Sequence, residues 1–226
     1  MPVVVVFASQ KGGVGKSTLA RALATFAVRA GLKTRIADLD AQQKTVVVWE
    51  QSRQLHNVRP PISVDAFADA AQGLASAAGE DLLILDTPGH VTDGTTHLAQ
   101  WSHLLVQPTS PSADDLPISV FVFQALERVG IEREKLAFAL CRVLSTREER
   151  MARSHLSGFG YTVLKGAIPE HLTYRKAMKT GRSISETRKR ALNARAEVLI
   201  ADLLEKAMAN AGRPGRKQVR KLFSRR

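Results

Sequence analysis

The sequence predicts an α/β fold in which helices cover both faces of a mostly parallel, twisted sheet. Short runs of β-branched and aliphatic residues alternate with longer alanine-rich stretches, a pattern typical of parallel strands that are buried on both sides. The first run, Val3 to Ala8, leads directly into a glycine-rich loop and then into a helical stretch. With 226 residues, 44% of them hydrophobic, the chain has the size of one compact domain that can bury a core.

Strands and helices are expected to alternate along most of the chain. We predict strands near residues 3–8, 34–38, 62–65, 82–86, 103–107, 136–142 and 162–167. Helices are predicted over residues 16–30, 44–56, 67–78, 93–100, 115–129, 147–157, 170–179 and 190–210. Because the Gly212 to Gly215 segment breaks the last helix, we divide the chain into a core domain, 1–211, and a basic C-terminal tail, 212–226.

The glycine-rich loop has the composition of a phosphate-binding loop. Glycines let consecutive backbone N–H groups turn toward an anion, and the helix that follows presents its positive end to the same anion. Lys16 would reach the β- and γ-phosphates of ATP, and the Ser17 hydroxyl would ligate Mg²⁺. The strand before the loop and the helix after it predict the P-loop NTPase fold. The predicted nucleotide contacts are Gly12, Gly13, Val14, Gly15, Lys16, Ser17 and Thr18.

Two further strands end in carboxylates. Asp38 and Asp40 follow the run at 34–38, and Asp86 ends the apolar run at 82–86. Because ligands of open α/β sheets gather at the carboxyl edge, we expect these side chains near the phosphates. Asp86 would then face the metal, as a Walker B carboxylate does. A buried strand that merely ends in a capping aspartate is the alternative.

The start of the loop departs from the usual P-loop pattern. Gln10 stands in place of the first glycine, and an additional lysine, Lys11, follows it. With the segment Lys11 to Thr18, this resembles the ParA/MinD family of deviant Walker A ATPases, whose members position cargo inside bacteria. The short length and the absence of an N-terminal helix-turn-helix domain resemble the small ParA subgroup, which acts in plasmid partition and cargo positioning. A solvated loop residue is the alternative for Lys11.

The resemblance implies roles for several residues. In the family, the extra lysine crosses the interface of an ATP-sandwich dimer and contacts the phosphates of the other subunit, which implies that role for Lys11. The implied catalytic set is Lys11, Lys16 and Asp40. Within this set, Asp40 would orient the attacking water. The implied metal set is Ser17, Asp38 and Asp86, with Asp38 supporting the metal shell. The family often continues after the second aspartate with Pro-Gln, and here the sequence is Ala41-Gln42.

Two later features match the family less specifically. The segment from Pro108 to Leu116 resembles a Pro-Ser-x-x-Asp segment near the dimer interface, and an ordinary helix cap by Ser112 is its alternative. Arg142 matches an arginine that packs on the adenine in related proteins, and a surface arginine is the alternative. Cys141 lies in an apolar run typical of a buried strand, so we expect an inert core thiol, and no disulfide is possible within one chain.

The positive charge is concentrated late in the chain. The formal net charge is +12 and the pI is near 10.3, and ParA-type dimers hold non-specific DNA through late basic residues. Phosphate neutralisation gives affinity without base readout, and a solvated charged face is the alternative. The predicted DNA-binding residues are Arg175, Lys176, Lys179, Arg182, Arg188, Lys189 and Arg190.

These features predict a nucleotide-dependent homodimer that binds ATP, Mg²⁺, non-specific DNA and a stimulating adaptor or cargo protein. We expect it to be cytoplasmic and nucleoid-associated, since neither a signal peptide nor a run of roughly 20 apolar residues is present. In the tail, Val219, Leu222 and Phe223 lie at helical spacing among cations, which fits a DNA-binding arm, an interfacial membrane helix or an inert tail. The rival functions are a membrane-associated regulator of the MinD type and a P-loop kinase or synthetase.

Overall fold

The computed structural model describes residues 1–89 and 93–213. Within these residues, the strands are β1 (Val3–Phe7), β2 (Thr34–Asp38), β3 (Ser63–Ala66), β4 (Leu82–Asp86), β5 (Leu104–Thr109), β6 (Leu136–Val143), β7 (Thr162–Val163) and β8 (Ile168–Pro169). The helices are α1 (Lys16–Arg29), α2 (Thr45–Leu55), α3 (Ala70–Ala75), α4 (Asp93–Trp101), α5 (Asp115–Arg128), α6 (Thr146–Gly158), α7 (Leu172–Met178) and α8 (Arg190–Asn210). The predictions for tail residues 214–226 lie outside the described residues.

The strands form one sheet in the order β3-β2-β4-β1-β5-β6-β7, and β8 pairs with β6. Every pairing among the described strands is parallel, so the predicted fold class is confirmed. The register places Asp38 opposite Asp86 and Phe7 opposite Asp86. The carboxyl ends of β1, β2 and β4 therefore meet at one edge, directly beside the glycine-rich loop.

The core lies on both faces of this sheet. On β1, Val3 and Val5 pack with residues of α1, α2 and α8, whereas Val4 and Val6 pack with residues of α4, α5 and α6. Burying an aliphatic side chain fully contributes about 1.5 to 3 kcal/mol, and each of these valines is at most 3% exposed. Helices thus cover both faces, as the continuous apolar runs predict. No helix in the described ranges is long and apolar enough to cross a bilayer.

The predicted strand at 162–167 is wrong in its length. Only β7 falls within these residues, and β8 follows directly after them, because Gly166 adopts a positive φ of 72° and turns the chain between the two strands. The pairing along β6 is also interrupted, with a register shift between Cys141 and Val143, where Arg142 has a φ of 59°. A bulge of this kind redirects a strand and ends regular pairing.

Two predicted helices are shorter in the structure because side chains cap them. The helix predicted at 67–78 is α3 alone, since the Asp69 carboxylate accepts a hydrogen bond from the Gln72 amide at 2.9 Å. The helix predicted at 170–179 begins only after His171, whose Nδ1 accepts from the Thr173 amide at 3.0 Å. Both side chains satisfy amides that an α-helix leaves unpaired in its first turn.

Helix α2 packs closely against the segment that joins α7 to α8. Gly181 lies in this segment with a φ of 68°, and a Cβ built on it would lie 2.2 Å from the Arg53 Cα. Backbone atoms cannot yield to such a contact by a rotamer change. The close approach therefore requires glycine for its space as well as for its conformation.

We predict that Gly181→Ala destabilises the protein by about 3 kcal/mol or more, because the new methyl group adds a backbone clash to the strain of a left-handed residue. The measurement is chemical denaturation. Gly130→Ala is the matched control, since Gly130 has a φ of 89° with nothing within 4 Å of its Cβ position, and it should lose only about 1 kcal/mol. Equal losses in the two variants would contradict the close approach.

Candidate functional site

The glycine-rich loop lies between β1 and α1 and requires its glycines. Gly13 and Gly15 adopt φ values of 73° and 121°, which side-chain-bearing residues rarely reach. A Cβ on Gly15 would also lie 3.2 Å from the Cys141 Sγ. Helix α1 begins without a side-chain cap and without an acid in its first turn. Its first amides are therefore left for an anion, as in phosphate-binding loops.

Lys16 is held inside the loop. Lys16 is only 7% exposed. Its Nζ donates hydrogen bonds to the Ser9 Oγ at 3.2 Å and to the Lys11 carbonyl at 3.4 Å. Burial lowers the pKa of Lys16, while the carboxylates of Asp86 and Asp40 act to raise it. The ammonium is thus positioned at the loop between neutral acceptors and two acids, ready to contact phosphate oxygens.

Asp86 is a buried carboxylate with an unfilled oxygen. The residue is 1% exposed, and its Oδ1 has no hydrogen-bond partner among the described residues. Burial raises its pKa to about 7, although the nearby Ser17 hydroxyl acts to lower it. Such a group is costly to keep charged without a partner, and a carboxylate beside a hydroxyl is an oxygen donor set that suits Mg²⁺.

These residues fit the magnesium ion that a bound nucleotide brings. Ser17 and Asp86 would hold the ion, which would neutralise phosphate charge during transfer. The described residues contain no group of three or more His, Cys, Asp or Glu side chains that could hold a metal alone. Mg²⁺ is usually bound through one or two carboxylates together with substrate phosphates and water.

Asp38 contacts the protein backbone on both oxygens. Its Oδ1 accepts from the Asp40 amide at 3.1 Å, and its Oδ2 accepts from the Val46 amide at 2.9 Å and the Val47 amide at 3.3 Å. It is fully buried and lies opposite Asp86 in the β2–β4 ladder. The observed contacts make Asp38 a support for the following loop and for α2. Its part in the metal shell stays a prediction.

Asp40 sits at the mouth of the site on a tight turn. Its Oδ1 accepts from the Gln43 amide at 2.9 Å, and its carbonyl accepts from the Lys44 amide at 2.8 Å. The turn therefore forms with Ala41 in the place where related sequences carry proline. The carboxylate lies near enough to Lys16 to act to raise the pKa of that lysine, and its role toward the attacking water stays a prediction.

Lys11 is held by an ion pair within its own chain. Its Nζ lies 2.5 Å from the Asp115 Oδ1 and 3.4 Å from the Asp114 carbonyl. Burial acts to raise the pKa of Asp115, but hydrogen bonds from Lys11 and Ser110 outweigh it and lower the pKa. Ser112 also accepts from the Asp115 amide at 3.1 Å. The segment thus satisfies the first amide of α5 and, at the same time, holds Lys11, which is not simply solvated.

A cavity of about 260 Å³ opens beside the glycine-rich loop and contains Arg142. Arg142 pairs with Glu170 at 3.0 Å, and Arg175 pairs with the same carboxylate. Burial acts to raise the pKa of Glu170, but these two arginines lower it overall. Arg142 lies within β6 rather than just past it. The cavity is lined by Gly13, Val14, Gly15, Thr18, Cys141, Arg142, Ile168, Pro169, Glu170, His171, Tyr174, Arg175, Met178 and Ile184.

Cys141 lines this cavity but is 3% exposed. Burial raises the pKa of its thiol to about 12, so the thiolate is not available at neutral pH. The predicted core position of Cys141 is confirmed.

All seven predicted DNA-binding residues are exposed. They occupy one continuous stretch, the basic segment 175–190, which runs from α7 to the first residue of α8. Arg175 pairs with Glu170, and the other six form no ion pair with another described residue. Helix α8 has no acid in its first turn, so cations stand at the positive end of its dipole. That arrangement is unfavourable for the free protein and favours a bound anion.

Two arginines near the site, one half-buried and one fully buried, carry no sequence signal. Arg21 on α1 donates to the Thr45 carbonyl at 2.6 Å, and burial lowers its pKa while Asp86 and Asp38 act to raise it. Arg53 is fully buried and pairs with Glu186. Charged residues on an amphipathic helix ordinarily indicate a solvated face, so only the structure reveals these two arginines as internal.

Comparisons with known proteins agree with this geometry. Residues 5–204 match the model of the CobQ/CobB/MinD/ParA nucleotide binding domain. Protein ParA of Rhizobium radiobacter is 28% identical over 181 residues, which cover 76% of this chain and 74% of that protein. The septum site-determining protein MinD of Pyrococcus horikoshii OT3, complexed with Mg-ADP, superposes with a TM-score of 0.72 at 16% identity over 93% of this chain and 99% of that chain.

A third relative is also similar in structure. An ATP complex of a McdA variant from Cyanothece superposes with a TM-score of 0.65 at 17% identity, over 94% of this chain and 97% of that chain. Identities this low establish the shared fold only, whereas the family match extends over most of the chain.

We predict that Asp86→Asn stabilises the nucleotide-free protein at pH 8 by about 2 kcal/mol, because it removes a buried charge that has one unfilled oxygen. The same variant should bind Mg-ADP about 100-fold more weakly, while binding of ADP in EDTA changes little. Thermal unfolding and titration of a fluorescent ADP analogue measure the two effects. The control is Glu134→Gln, at an exposed carboxylate that forms no ion pair with another described residue, and a loss of stability in Asp86→Asn would contradict the assignment.

Proposed function

Since the chain belongs to the CobQ/CobB/MinD/ParA nucleotide-binding family, we propose that it is a ParA-like ATPase that forms an ATP-sandwich dimer and binds DNA non-specifically. Partner-stimulated hydrolysis would then drive the partition or positioning of a plasmid, chromosome or protein cargo. The observation that carries this proposal is that one small chain combines a glycine-rich loop containing Lys11 with an exposed basic segment, six of whose seven cations form no ion pair with another described residue.

ATP binding and hydrolysis are supported by the placement of four side chains. Lys16 would contact the phosphates, Ser17 and Asp86 would hold Mg²⁺, and Asp40 would orient the attacking water. A loose phosphoryl transition state needs positioning and charge neutralisation more than a strong base. One carboxylate at the mouth of the site is therefore enough for slow turnover that a partner can accelerate.

Dimer formation would be governed by Lys11. In the single chain its ammonium is bound to Asp115, and 39% of its side chain remains exposed. A partly exposed ion pair contributes only about 1 kcal/mol or less. The γ-phosphate of a second subunit carries more negative charge than one carboxylate, so it can take Lys11 from Asp115. This makes ATP, rather than ADP, the ligand that favours the dimer.

DNA binding would depend on the six unpaired cations of the basic segment. Each phosphate that they neutralise releases counterions, which gives an affinity that falls steeply with salt and does not depend on base sequence. A dimer presents two copies of the segment and binds with avidity. The localisation that follows from this proposal is cytoplasmic and nucleoid-associated.

We predict that ATP strengthens DNA binding by the wild-type protein about 100-fold over ADP, because dimerisation joins two basic segments. Lys11→Ala should bind DNA in ATP no better than in ADP. Fluorescence anisotropy with duplexes of unrelated sequence, at two salt concentrations, measures the effect. ATP-independent DNA binding that Lys11→Ala leaves intact would refute the switch.

A charge-matched pair of variants controls this experiment. Arg188→Ala removes a basic-segment cation and should reduce the slope of log K against log salt by about 1. Lys33→Ala removes an exposed cation outside the segment and should leave the slope unchanged. Equal effects of the two variants would mean that binding follows net charge alone.

We predict that Asp40→Ala retains ATP binding and the ATP-dependent dimer but loses turnover by about 100-fold or more, since the attacking water is no longer oriented. Phosphate release measures turnover, and analytical size exclusion in ATP measures the dimer. Asp65→Ala, at an exposed strand aspartate, is the control. Normal turnover in Asp40→Ala would remove Asp40 from this role.

A further inference from the structure

We infer that helix α2 is the positioning element that links the nucleotide site to the basic segment 175–190. One end of α2 is bound to residues of the phosphate and metal site, and the other end grips the backbone of the basic segment. The inference rests on the proposed function, because it explains how occupation of the nucleotide site would change DNA affinity.

The start of α2 is attached directly to the nucleotide site. The Asp38 carboxylate accepts from the Val46 and Val47 amides, and the Thr45 hydroxyl donates to the Ser17 Oγ at 3.2 Å. Ser17 is also the side chain that would bind Mg²⁺. A ligand that engages Ser17 therefore competes with the contact that fixes the first residue of α2.

The other end of α2 holds three backbone carbonyls of the basic segment. The Trp49 Nε1 donates to the Arg182 carbonyl at 3.2 Å, and the Ser52 hydroxyl donates to the Lys179 carbonyl at 3.1 Å. The Arg53 Nη1 donates to the Gly181 carbonyl at 2.9 Å. Residues spaced by three and four lie on one face of a helix, so these donors act together. The side chains of Lys179 and Arg182 stay exposed for a ligand.

A buried ion pair sets the geometry of this contact. The fully buried Arg53 binds Glu186 through two hydrogen bonds of 2.7 and 2.9 Å, and Arg29 of α1 binds the same carboxylate at 2.7 Å. Burial acts to raise the pKa of Glu186, but Arg53 and the Ser183 amide lower it overall. Bidentate pairs fix orientation more than they add stability.

Glu186 is also the one acid among the cations from His171 to Arg195. Its side chain is only 3% exposed, so it does not screen the surface of the basic segment. It ties the segment to α1 and α2 instead. The acid therefore serves the placement of the cations and leaves their positive potential at the surface.

Helix α2 is short and stiff enough to carry a displacement between the two sites. Its 11 residues span about 16 Å at 1.5 Å per residue. Movement of its first turn would therefore move the carbonyls that Trp49, Ser52 and Arg53 hold. Coupling of this kind requires an element whose position both sites bias, and α2 contacts both.

The test uses the double variant Trp49→Phe/Ser52→Ala, which removes two donors to the basic segment and keeps the aromatic packing. We expect ATP affinity to change less than twofold. DNA affinity in ATP should fall about tenfold, as expected for two lost hydrogen bonds. The slope of log K against log salt should fall by about 2, because Lys179 and Arg182 no longer reach phosphates. Val48→Ala, at an exposed position of the same helix, is the control.

A second readout does not depend on DNA. Amide hydrogen exchange of residues 179–186 should change when ATP binds the wild-type protein, and the change should be lost in the double variant. The inference would be overturned if ATP left the exchange rates of residues 179–186 unchanged in the wild type. It would also be overturned if the double variant matched the wild type both in exchange and in the salt slope of DNA binding. Failure of the wild type to bind DNA would overturn the proposed function alone, while the exchange result still decides the role of α2.

Discussion

The buried carboxylate of Asp38 is the contact on which the ligand-facing edge of the sheet depends. A fully buried carboxylate is stable only when its oxygens are hydrogen-bonded, and here three backbone amides supply those bonds. One amide belongs to Asp40 and two belong to the first turn of α2. A single side chain at the end of β2 therefore ties down the Asp40 backbone and the entry into α2. Asp38 also lies opposite Asp86 in the strand register. The hydrogen bonds that the Asp40 carboxylate and carbonyl accept from the Gln43 and Lys44 amides hold the rest of this loop.

Several charged groups in this structure lower the stability of the protein without ligand and would be relieved by a bound ligand. Asp86 is buried with one oxygen unfilled, and Lys16 is held at a lowered pKa. Cations stand at the start of α8, where the helix dipole opposes them. Native proteins tolerate such local costs mainly at functional sites, because a preorganised environment need not rearrange when the ligand arrives. Burial of apolar side chains on both faces of the sheet offsets this loss of folding free energy.

The sequence predicts the parts of this structure that local signals determine. The glycine loop, the apolar strands and the helix starts follow from residue types within short windows, so the fold class and the carboxyl-edge placement of Asp38, Asp40 and Asp86 were predictable. The break between β7 and β8 was missed because it depends on a positive φ at Gly166 and on a bulge in a neighbouring strand. The pairing of Arg53 with Glu186 joins residues 133 positions apart. In the sequence, each of these residues is typical of an exposed position. Only the tertiary structure buries the two side chains against each other.

The unfilled oxygen of Asp86 also has a consequence for the life of the protein in a cell. A ligand that neutralises this carboxylate binds the folded chain and not the unfolded one, so its occupancy adds to stability by mass action, by about 2.7 kcal/mol at a hundredfold excess over its Kd. Chains that lack the ligand unfold more often and are exposed to proteases and chaperones for longer. Occupation of this site, by ADP as well as by ATP, would therefore lengthen the life of the folded chain in a cell.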